Sequence, residues 1–147
     1  MDENHEIRKT LGLLTESKLN YAIIDGWTSL KRTGSDVDIL IDRQGYKKAI
    51  KILEKNGYKL KSIKPNINLF FSEVYADKKR LRFHLTTGLM FGKPLRFVWV
   101  PLKKNILKNK VLQNNLFYMH KRYKWIKIVK EFAEVPHNIL RFIIKTI

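Results

Sequence analysis

YAIIDGWTSLKRTGSDVDILID, residues 21–42, is the stretch on which the reading of this chain turns. A short apolar run over 19–24 ends at Asp25-Gly26, and its length and its glycine favour a buried strand over a helix. Residues 28–32 are read as one helical turn, broken by Thr33-Gly34-Ser35. A second strand follows over 36–41, with Val37, Ile39 and Ile41 on one face and Asp36, Asp38 and Leu40 on the other. Residues two apart on a strand share a face, so the carboxylates of Asp36 and Asp38 lie on the order of 7 Å apart or less. Two acids at that spacing inside an apolar strand are costly unless something cationic meets them, and a divalent ion is the expected occupant.

Outward from this stretch, Ile7, Leu11 and Leu14 fall at helical spacing, which predicts a helix over 3–17 capped by Asp2 or Asn4. Downstream, Tyr46, Ala49, Ile50 and Leu53 predict a helix over 44–56, opened by Asp42 and closed by Gly57. Strands are expected over 58–63, 67–75 and 81–87, the last two joined as a hairpin through a polar turn at 76–79. The C-terminal part is expected to be a short strand over 97–100, a helix over 102–112, a long amphipathic helix over 116–134 with a basic outer face, and a last helix over 138–146 set apart by Pro136. This order predicts an α+β fold, a mixed sheet with flanking helices and a helical basic C-terminal part. It is read as one domain over 1–147, with a core over about 1–100 and an extension over about 101–147.

The chain carries a formal charge of +17, and from Lys78 onward Glu131 and Glu134 are the only acids against seventeen Lys and Arg. An anionic partner is therefore expected, although a lysine-rich composition accounts for part of the excess. With no cysteine there is no disulfide framework, thiolate metal site or cysteine nucleophile. No secretory signal or membrane-length apolar run is seen, so a cytoplasmic protein is expected and membrane association is not. In the basic half, Tyr118, Tyr123 and Trp125 alternate with Lys121, Arg122, Lys124 and Lys127, the pattern of a nucleic-acid surface as well as of an ordinary core helix.

Gly26-Trp27 followed by Gly34-Ser35-Asp36-Val37-Asp38-Ile39-Leu40-Ile41 resembles the signature of the nucleotidyltransferase superfamily, the fold shared with DNA polymerase beta. The likeness extends to about Thr87, since residues 46–57 are similar to the helix that ends in glycine and an aromatic in stand-alone nucleotidyltransferases. The resemblance implies Mg2+, a nucleoside triphosphate substrate, ATP among the candidates, and transfer of a nucleotidyl group to an acceptor. By the same resemblance, Asp36 and Asp38 are the metal ligands and catalytic acids, and His84 is a further catalytic residue. Gly26, Trp27, Ser29, Lys31, Gly34 and Ser35 would surround the triphosphate, with Thr28 and Arg32 close by. Magnesium suits such a site, because it takes hard oxygen ligands and completes its shell with water and phosphate.

Two departures from the family pattern stand out. Trp27 fills the place of a serine whose hydroxyl touches phosphate. A third acid is expected on a later strand beside the first two, where this chain reads Leu81-Arg82-Phe83-His84-Leu85, so that Arg82 stands for the missing acid and a two-ion site lacks a ligand. A second reading therefore keeps the fold without the chemistry, as a module that binds nucleic acid through its basic C-terminal half. The acceptor and the need for a partner protein are not written in the sequence.

Overall fold

The computed structural model of the chain describes residues 2–28, 31–62, 72–91 and 98–146; of Met90, Val98, Trp99 and residues 136–146 it describes the backbone alone. Helix α1 (Glu3–Glu16) starts where the Asp2 side chain accepts the Asn4 amide, and it buries Ile7, Leu11 and Leu14. Strand β1 (Tyr21–Asp25) runs antiparallel to β2 (Val37–Ile41), and α2 (Arg43–Lys55) follows, capped by Asp42 through the Gly45 amide at 2.7 Å. Next come β3 (Lys59–Ser62), β4 (Glu73–Lys78) and β5 (Leu81–Thr86), then a separate hairpin of β6 (Leu89–Phe91) and β7 (Val98–Val100). The chain ends with α3 (Lys103–Lys108), β8 (Val111–Gln113), β9 (Leu116–Tyr118), a 3-10 turn (Lys121–Tyr123) and α4 (Trp125–Thr146).

Among the described residues the main sheet has seven strands in the order β3-β4-β5-β2-β1-β9-β8, with β2 parallel to β5 and the fold mixed α+β as expected. Period-two alternation sorts its side chains into two cores. Tyr21, Ile23, Val37, Ile39, Ile41, Phe83 and Leu85 pack under α1 and α2, while Ala22 and Leu40 face α3, α4 and the β6–β7 hairpin. Strand β2 is thus buried on both faces, and Asp38 shares the Leu40 side, where α4 passes. The outer side of α4 leaves Trp125, Ile128, Phe132 and Val135 uncovered, Phe132 at 74% exposure.

Several expectations are corrected. The 28–32 segment is not a helical turn at its described ends: the Thr28 amide bonds to the Lys31 carbonyl at 2.9 Å and Trp27 bridges Arg32 antiparallel, closing a tight loop. The β4–β5 turn lies at Lys79-Arg80 rather than 76–79, because Val74 and Ala76 continue the buried alternation and Asp77 is held opposite Arg82.

The 102–112 helix ends at Lys108, and 116–134 is not one helix. Asn114 and Asn115, at φ 49° and 62°, form the two-residue turn of a β8–β9 hairpin, and β9 extends the main sheet beside β1. Residues past 100 thus supply strands to the main sheet, so no helical extension begins there. Helix α4 runs through Pro136, which removes only the bond to the Phe132 carbonyl, on the exposed side of the helix. Of the strand expected over 67–75, residues up to 71 lie outside the described ones, as does 63 of the strand expected over 58–63.

Candidate active site

Strand register lines up the site. Asp38 pairs with Asp25 of β1 on one side and His84 of β5 on the other, and His84 pairs in turn with Tyr75 of β4. A bulge between Ile23 and Asp25 brings Asp25 opposite Asp38, whereas Ile23 pairs with Ile39. Gly26 makes that bend at φ 82°, and the Asp25 carboxylate accepts its amide at 2.8 Å. Asp25 is thus the turn residue its place before glycine suggests.

These residues open on a cleft of about 190 Å3 whose walls include Ser35, Asp36, Asp38, Glu73, His84 and Lys130. Asp38 is 9% exposed. One of its oxygens takes His84 Nδ1 at 3.0 Å and the other takes Lys130 Nζ at 2.7 Å. The other ring nitrogen of His84, Nε2, lies 3.1 Å from Glu73 Oε2, and the Tyr75 ring stands 4.9 Å away. An acid oxygen at each ring nitrogen favours the doubly protonated, cationic ring. The ring bridges the Asp38 and Glu73 carboxyl groups.

Burial alone would raise the Asp38 carboxyl, but the His84 bond and the Lys130 charge outweigh it and hold the group well below the usual carboxylate range. Burial alone would lower His84, but the Asp38 and Glu73 bonds raise it above its ordinary value. Lys130 is raised likewise, the Asp38 charge outweighing its desolvation. The signs give a pH window. His84 contributes stability below its unfolded pKa near 6.5, and that contribution is lost as pH rises through the higher folded value. Asp38 contributes above its unfolded value near 3.8, and loses its contribution as pH falls through the lower folded one. The cluster should therefore stabilise the fold most between about pH 4 and 6.5. Urea unfolding across pH checks this: the wild-type advantage over His84→Gln should shrink above neutrality, and a constant difference would refute the charged ring.

The residues expected at the site divide. Asp36, Asp38, His84 and Ser35 meet in the cleft. Trp27 does not: its ring is 5% exposed, in the core under α1, and its indole nitrogen has no hydrogen-bond partner among the described residues. Lys31 and Gly34 are exposed and are not among the cleft's walls, Gly26 serves as its hinge, and Ser29 lies outside the described residues. Arg32 clamps the loop instead of waiting for phosphate, bonding Glu3 and the carbonyls of Gly34, Ser35 and Arg80. Arg82 grips Asp77 through two bonds of 2.7 and 3.0 Å, which hold that carboxyl at about 2.

Three site residues were missed. Glu73 is an acid one strand beyond the position searched, and the alternation of Glu73, Tyr75 and Asp77 against buried Val74 and Ala76 carries its signal. Lys127 and Lys130, one turn apart, were assigned to an outer basic face. Instead Lys130 turns inward to Asp38, and Lys127, half exposed, reaches Asp25 at 3.0 Å at the edge of the cleft.

Asp36, Asp38 and Glu73 offer hard oxygen donors around a cleft in which an ammonium already sits on Asp38. That stand-in cation marks a place for positive charge. Among the described residues no three His, Asp or Glu side chains form a ready-made metal cage, so an ion held by Asp36 and Asp38 must complete its shell with water and phosphate oxygens, as magnesium does. Comparison of the chain with protein-family models, with curated proteins and with solved structures finds no match, so the site rests on its own geometry.

Proposed function

We propose that this cleft carries out metal-dependent nucleotidyl transfer from a nucleoside triphosphate to an acceptor. One observation carries the reading: Asp38, near the start of the central strand, and neighbouring Asp36 line a single cleft, in which the Lys130 ammonium pairs with Asp38. Magnesium, when bound, neutralises triphosphate charge and steadies the attacking and leaving oxygens. The chain's own residues then have separate tasks. Asp36 and Asp38 hold the ion, His84 and Glu73 keep the Asp38 carboxylate oriented, and Ser35 and Lys127 flank the path of the phosphates. At about 190 Å3 the cleft is smaller than the roughly 300–1,000 Å3 of whole-ligand pockets. It admits the triphosphate end and leaves base and acceptor to the rim.

Lys127 lines the cleft, and Lys121 and Lys124, just before it in the chain, are exposed; such basic residues suit an anionic acceptor such as nucleic acid. No helix among the described residues is long and apolar enough to cross a membrane, and a cytoplasmic setting supplies both magnesium and triphosphates.

Titration calorimetry with each Mg-triphosphate tests the reading. The wild type should bind at least one, and the double variant Asp36→Asn, Asp38→Asn should lose that binding. Equal binding by both proteins would refute it. Steeply salt-dependent oligonucleotide binding by a chain that takes no triphosphate would instead identify a non-catalytic module on this fold.

A further inference from the structure

Lys130 is an unusual wall for a metal cleft, because its ammonium occupies the oxygen of Asp38 that a divalent ion would need. The contact is a built one: Lys130 is about two-thirds buried, and the Asp38 carboxylate is aligned from its other side by His84. Lys130 also has an alternative partner. Glu134 lies one turn further along α4, lines the same cleft and already attracts the Lys130 charge.

We propose that Lys130 is a resident counter-ion that a divalent metal displaces, its ammonium moving from Asp38 to Glu134 as the ion arrives. The inference rests on the nucleotidyl-transfer reading of the same cleft and adds a regulatory element to it. Without metal, Lys130 answers the Asp38 oxygen that His84 does not reach. With metal, the carboxylate is neutralised by the ion, and the displaced ammonium stays within reach of the phosphates that accompany it. Affinity for metal alone is thereby kept low, and triphosphate, which brings its own charge for Lys130 and Lys127 to meet, favours the exchange.

Mn2+ alone is the probe, with free Mn2+ followed by electron paramagnetic resonance in wild type, Lys130→Met, Lys127→Met and Asp38→Asn. Removing the competitor should tighten Mn2+ binding by about tenfold in Lys130→Met. Lys127→Met, which removes an equal charge from the same cleft but not from Asp38, should change it far less, and Asp38→Asn should abolish it. A second readout is the labelling of Lys130 by an amine-reactive acyl reagent, read by mass spectrometry, which should rise in the wild type when Mn2+ is added. Equal Mn2+ affinity in wild type and Lys130→Met, or an equal gain in Lys127→Met, would overturn the displacement while leaving the catalytic reading intact. Failure of every form to bind Mn2+, with or without triphosphate, would overturn both.

Discussion

Gly26→Ala is expected to lower stability by about 3 kcal/mol or more and to disable the cleft with it. Gly26 sits at φ 82°, which costs an L side chain roughly 1–2 kcal/mol in itself. The larger part is steric. A Cβ there would fall 1.7 Å from the Asp36 carbonyl oxygen and 2.7 Å from its carbon, both main-chain atoms of the segment entering β2. Relief requires moving the backbone that carries Asp36 and Asp38. Gly57 supplies an internal control, since it shares φ 82° but would bring a Cβ no closer than 3.7 Å, to the flexible end of Lys78. Gly57→Ala should cost only the conformational part, about 1–2 kcal/mol. Urea unfolding of the two variants separates the terms, and equal losses would show that the close approach of the glycine to β2 is absent.

Asp38→Asn is the second large effect. The amide keeps the shape but removes the charge that answers Lys130 and His84 at once. If the cleft carries out the proposed nucleotidyl transfer, metal-dependent turnover, measured as pyrophosphate release from triphosphate, should fall on the order of a thousandfold, as expected when a several-kcal/mol electrostatic contribution is lost. The fold should survive. Lys130 can turn toward Glu134 and solvent, while His84 keeps Glu73 and, without the Asp38 charge that raises it, has a lower pKa and gives up its second proton more readily. The comparison with Asp36→Asn is informative, because His84 and Lys130 bond to Asp38, while Asp36 lines the same cleft. That variant should lose turnover with little change in stability or in the His84 titration. Turnover equal to wild type in Asp38→Asn would remove this carboxylate from the chemistry.

The half of the molecule around β2 was legible because its signals are local and agree with one another. The Asp-Gly turn, the alternation in Val37 to Ile41 and the Asp42 and Gly57 helix ends each act within a few residues, and tertiary packing did not override them. His84 was singled out through the family resemblance, and the parallel pairing of β5 with β2 sets it beside Asp38. Its partnership with Glu73 was not legible, because which acid faces a histidine depends on strand order, and the hairpin that brings β4 beside β5 sets it.

The C-terminal half misled for a related reason. Leu116, Met119, Tyr123 and Ile126 do fall at helical spacing, yet Asn114-Asn115 is a hairpin turn signal, and pairing of β9 with β1 supplies what an isolated helix would lack. Lys127 and Lys130 look like a solvated row in sequence, where basic residues on an amphipathic helix usually face water. Lys130 faces inward here because Asp38, more than ninety residues earlier, gives it a buried partner, while Lys127, still half exposed, pairs with Asp25 at the cleft edge. Trp27 shows the converse. Its place in a motif suggested a ligand role, but a large ring beside a buried strand is stabilised most by the core.

The most direct measurement is a crystal structure of the chain grown with Mn2+ and a non-hydrolysable triphosphate, with data collected for the anomalous signal of manganese. The account predicts a manganese peak between the Asp36 and Asp38 carboxylates with phosphate oxygens completing its shell, and Lys130 withdrawn from Asp38. A cleft in which Lys130 still holds Asp38, with no peak between the two carboxylates at saturating metal and triphosphate, would contradict it.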